Sequence, residues 1–72
     1  MTLFIILGED QYELGHIDRM YKFWPEQGFE LLQTISEKKP ELLEHIIIKT
    51  DKGYEMTVET FVGKLEKLKF KR

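Results

Sequence analysis

The run Thr2-Leu3-Phe4-Ile5-Ile6-Leu7, closed by Gly8, constrains this chain more than any other feature. It is too short for a helical pattern and too rich in β-branched residues for a loop, so it reads as a strand over 2–7. Because it is unbroken rather than alternating, it predicts a strand buried on both faces. Such a strand needs neighbours at its edges and a layer against its faces.

The C-terminal third supplies the neighbours. Ile46-Ile47-Ile48 marks a strand near 45–50, and Thr50-Asp51-Lys52-Gly53 is a tight turn with glycine where a positive φ is needed. Tyr54-Glu55-Met56 begins the return strand, near 53–57. Thr57 is placed to cap a helix near 58–70, with Glu59 in its first turn and Met56 and Phe61 at the staple positions. Phe61, Val62, Leu65 and Leu68 form its expected apolar stripe, and lysines crowd its last turn.

The middle of the chain reads as helical. Asp10-Gln11-Tyr12-Glu13 has the form of a capping box, and Leu14, Ile17, Tyr21 and Trp24 follow at spacings of three, four and three. These predict a helix near 10–24, stopped by Pro25, although Gly15 within it costs about 1 kcal/mol relative to alanine. Residues 28–37 fit a helix through Phe29, Leu32 and Ile35, and fit a strand less well through Phe29, Leu31 and Ile35. Pro40 can open a short helical turn through Leu43. The expectation is one small α+β domain over 1–72, with a short three-stranded, largely antiparallel sheet packed by helices near 10–24, 28–37 and 58–70. Residues 69–72 are expected to form a flexible basic tail. Phe4-Ile5-Ile6 and Ile46-Ile47-Ile48 lie 42 residues apart, a resemblance attributed to chance between two short strands.

At 72 residues the chain buries only roughly 60% of its unfolded surface, and without cysteine it has no disulfide to add. Packing must hold it, and apolar residues at 42%, including five Phe, three Tyr and one Trp, make that feasible. The lack of cysteine and of a basic-then-apolar leader favours a cytoplasmic protein, and the apolar runs are too short to cross a bilayer.

No catalytic constellation stands out. His16 and His45 are the only histidines, and neither is spaced with other donors as a metal site requires. Ser36 is the only serine and lies in a charged segment. The five glycines are isolated and form no phosphate-binding loop. The reading is therefore non-enzymatic, with no cofactor and no metal.

Two surfaces remain. Met20, Tyr21, Phe23, Trp24 and Phe29 concentrate aromatic and soft side chains within ten residues, which suits a protein partner or a second copy of the chain. The same residues would otherwise serve as large fillers of a small core. Lys64, Lys67, Lys69, Lys71 and Arg72 give a basic end on a chain of net charge −2. That end suits weak, sequence-independent nucleic-acid binding, or simply a helix terminus whose lysines match its dipole. The expected function is a small protein-binding module with a regulatory, inhibitory or accessory role, with nucleic-acid binding as the alternative.

Overall fold

The computed structural model describes residues 1–66 together with the backbone of 69–70. Strands β1 (Thr2–Leu7), β2 (Asp10–Ile17) and β3 (Lys22–Pro25) come first, followed by helix α1 (Gln27–Lys38) and a 3-10 helix over Pro40–His45. Strands β4 (Ile46–Thr50) and β5 (Glu55–Thr57) then lead into helix α2 (Val58–Leu65) and the two-residue strand β6 (Lys69–Phe70). All lie in one sheet of order β5-β4-β1-β2-β3-β6, antiparallel throughout except that β6 runs parallel to β3.

The α+β class stands, but the sheet has β2 and β3 where a helix over 10–24 was expected. Two local features defeat the helix. Gly8 takes φ +63° in a two-residue turn that sets Leu7 directly opposite Asp10, so Asp10 opens a strand instead of capping a helix. Gly15 lies under the Phe23 ring, where a β-carbon would come within 2.5 Å of the ring and 2.7 Å of the Trp24 carbonyl oxygen. The helical spacing of Leu14, Ile17, Tyr21 and Trp24 does not describe one buried face: Leu14 is buried, whereas Tyr21 and Trp24 are exposed.

Strand β1 pairs with β2 on one edge and β4 on the other. Its register breaks at Leu3/Phe4, where Leu14 is the extra residue of a bulge that turns its side chain into the core. Leu3 and Ile5 are buried with Leu14, Phe23, Ile46 and Ile48 beneath Leu32 and Ile35 of α1 and Val58 and Phe61 of α2. Both helices thus lie on one face of the sheet. Phe4 and Ile6 point to the other face and are only half-buried, so β1 is covered on one face rather than two.

Elsewhere expectation and structure agree in part. Residues 28–37 fall within α1, the turn at 50–53 and the strands beside it are as read, and the Thr57 hydroxyl accepts from the Thr60 amide at 3.1 Å to cap α2. Helix α2 ends at Leu65 rather than near 70, and Val62 is exposed while Phe61 faces the core. Residues 69–70 form the two-residue strand β6. Leu68, Lys67, Lys71 and Arg72 lie outside the described residues.

Candidate functional site

The β2–β3 connection is a three-residue loop, Arg19-Met20-Tyr21, between Asp18 and Lys22. The Asp18 amide donates to the Lys22 carbonyl and the Tyr21 amide to the Asp18 carbonyl, each at 3.1 Å. The Asp18 carboxylate holds the loop from within. Its Oδ1 accepts from the Met20 amide at 2.8 Å and the Lys22 amide at 3.0 Å, while Oδ2 accepts from Trp24 Nε1 at 2.8 Å. The Trp24 bond, with help from the two amides and the Lys22 charge, holds the Asp18 carboxyl below the ordinary aspartate range despite a smaller opposing effect of burial.

This loop closes only if its last residue turns left-handed, and that residue is Tyr21, at φ +58°. It is the only non-glycine residue with positive φ among those described. A left-handed backbone costs an L-residue with a Cβ about 1–2 kcal/mol, and bulky residues rarely adopt it. The tyrosine ring recovers little of this by packing, since Tyr21 is 71% exposed.

The aromatic cluster divides at this point. Met20 at 68%, Tyr21 at 71% and Trp24 at 45% exposure share the hairpin tip, with Trp24 opposite His16 on the open face of the sheet. Phe23 is wholly buried and meets Phe29 and Phe61 edge-on at centroid distances of 5.4 and 5.7 Å. Alternation along β3 explains the split, because Phe23 and Trp24 must face opposite sides of the sheet. Phe23 and Phe29 are therefore the anchors of the arm, and Met20, Tyr21 and Trp24 are its surface.

Several termini and turns meet at the same end of the sheet. The Met1 ammonium donates to the Ile17 carbonyl at 2.8 Å, and the Asp51 carboxylate accepts from the Thr2 amide at 3.2 Å. A shallow hollow there is bordered by Met1, Asp18, Arg19, Tyr21, Lys52 and Lys64. Of the basic set read from the C-terminal end, Lys64 reaches this hollow, Lys69 belongs to β6, and the rest lie outside the described residues. The hollow was not legible in the sequence, because it joins residues from four separate segments. A second concavity, apolar and floored by Leu43, Val58 and Val62, runs between the 3-10 helix and α2.

Among the described residues no three His, Asp or Glu side chains gather to hold a metal ion, and no helix is long and apolar enough to cross a membrane. His16 lies on the open sheet face, His45 is exposed at the end of the 3-10 helix, and the Ser36 hydroxyl donates to the Gln33 carbonyl on α1. No family model, curated protein or solved structure matches the chain.

Proposed function

We propose that this protein is a non-enzymatic binding module, regulatory, inhibitory or accessory in role, that engages a protein partner through Met20, Tyr21 and Trp24. The observation that carries the reading is the left-handed Tyr21 at an exposed tip. Backbone strain concentrates where a side chain is kept for contact rather than for folding. Tyrosine and tryptophan are also the side chains that dominate binding energy at protein interfaces. Asp18 fixes the loop and the indole before any partner arrives, which lowers the ordering cost of binding.

Capture from extracts of the source cell tests this directly. Tyr21→Gly should keep or raise the melting temperature yet weaken capture, and Trp24→Ala should weaken capture with the fold intact. Trp24 is the single tryptophan, so its emission should shift on docking. Full retention of the partner by both variants would overturn the reading.

Lys64 beside the hollow supports a second reading, weak nucleic-acid binding through the basic end. That reading requires affinity for single- or double-stranded oligonucleotides that falls steeply with salt and is lost on removing residues 69–72.

A further inference from the structure

We infer that the hollow beside the hairpin tip receives carboxylate side chains, so that the partner presents an acidic peptide segment next to the aromatic contact. This rests on the reading that the tip binds a protein, and it adds the chemistry of the partner.

The charge around the hollow is lopsided. Arg19, Lys52 and Lys64 are three cations on its border, against the acid Asp18, while Asp51 at the same end is held on the Thr2 amide. Asp18 accepts from two amides and the Trp24 indole, which hold its carboxylate against the loop. Yet the whole chain carries a net charge of −2. An excess of positive charge drawn together from separate segments of an acidic protein forms a local field that selects an acidic partner. Tyr21 forms part of the same border, which joins the charged hollow to the aromatic surface.

The same facts favour a peptide over a nucleic acid. A phosphate backbone wants cations along a track, whereas these three are confined to one hollow. Beyond it, the open sheet face carries Glu13 and Glu55, opposite Phe4 and Lys49 respectively, and a polyanion crossing that face would meet them.

The experiment is a titration of the full-length protein, followed through its backbone amide resonances, with three probes at low salt: octaglutamate, octalysine and a twelve-residue oligothymidylate. Octaglutamate should shift resonances near 16–21 and 51–53 and at Lys64, octalysine should not, and added salt should reverse the shifts. The double substitution Arg19→Glu/Lys52→Glu changes two exposed turn side chains and should lower the octaglutamate affinity roughly fivefold or more. If the reversed chain unfolds, Arg19→Ala/Lys52→Ala serves in its place with a smaller loss expected. The inference fails if octaglutamate shifts nothing, if its shifts survive the charge changes, or if oligothymidylate produces the same shifts at lower concentration. If cellular capture is lost in Trp24→Ala but unchanged in the charge variants, the acidic-partner inference falls while the binding-module reading stands. If capture is unchanged in both, both fall.

Discussion

The chain contains two hairpin loops built on one hydrogen-bond plan, and they fill its left-handed position differently. In each, the first residue accepts through its side chain from the amides two and four positions on. Asp18 does this for Met20 and Lys22, and the Thr50 hydroxyl does it for Lys52 and Tyr54. In each, the residue three positions on donates to the first residue's carbonyl, Tyr21 to Asp18 and Gly53 to Thr50. Both therefore need a left-handed residue at the fourth position. At 53 it is glycine, at φ +90°; at 21 it is tyrosine, at φ +58°. One loop is filled as folding alone would fill it, and the other accepts strain to hold an aromatic ring in solvent.

The largest test of this contrast asks whether the strained tip stands on a rigid arm. Phe23→Ala removes a wholly buried ring that meets two others, and should cost about 3–5 kcal/mol. Against a total stability of order 4–11 kcal/mol for a chain of this length, chemical denaturation should find the midpoint lowered by a large fraction of the parent's. Trp24→Ala, one residue on, should remain folded. If the two variants lose equal stability, Trp24 is part of the core and the division of the cluster is wrong.

The C-terminal unit answers to a smaller probe. Thr57→Ala deletes the hydroxyl that caps α2 and should cost about 1 kcal/mol. On a domain of this size that is roughly 4–8 °C in melting temperature. No change would mean that the helix is held by Val58 and Phe61 alone.

The loops themselves predict effects of opposite sign. Tyr21→Gly relieves about 1–2 kcal/mol of backbone strain, offset by about 0.5–1 kcal/mol of extra unfolded-chain entropy. A net gain of about 0.5–1 kcal/mol follows. Gly53→Ala reverses the argument and should lose a similar amount, with open space around the new methyl group. Melting curves of the two variants, recorded side by side, should move apart from the parent. If both move down, the Tyr21 ring makes contacts that outweigh its strain.

This contrast also explains what the sequence disclosed. The stretch from Ile46 to Leu65 is consistent at every level: β-branched strand, glycine at the left-handed position, threonine cap, apolar helix face. It could be read directly. The stretch from Asp10 to Trp24 carries conflicting signals. A capping-box pattern and a helical spacing compete with a two-residue turn at Gly8-Glu9 that must be recognised as a hairpin. The second loop hides its nature, because tyrosine stands where a turn rule looks for glycine or asparagine. The aromatic concentration was visible, but its division into anchors and surface depends on strand alternation, which a helical reading of 10–24 cannot supply. The cations of the hollow come together through the pairing of β1 with β2 and β4 and the packing of α2 beside them.

The smallest effect probes what keeps the strained loop closed. The Asp18 carboxyl titrates below the ordinary aspartate range in the folded protein, chiefly because the Trp24 indole donates to it. A carboxylate depressed in this way adds stability that is fully present above its unfolded pKa and is lost as pH falls through the folded value. Asp18→Asn keeps an oxygen to accept from Met20 and Lys22, but it has no charge and turns its NH2 group toward the indole N–H. The variant should therefore melt below the parent at neutral pH, and the gap should close as the medium is taken to about pH 2. The difference between the two curves isolates this carboxylate, the one side chain in which the two proteins differ. Trp24 emission gives a second readout, since the indole loses its anionic acceptor over the same pH range in the parent and has none in the variant. A gap that stays constant into acid would show that shape alone closes the loop, with no contribution from the Asp18 charge.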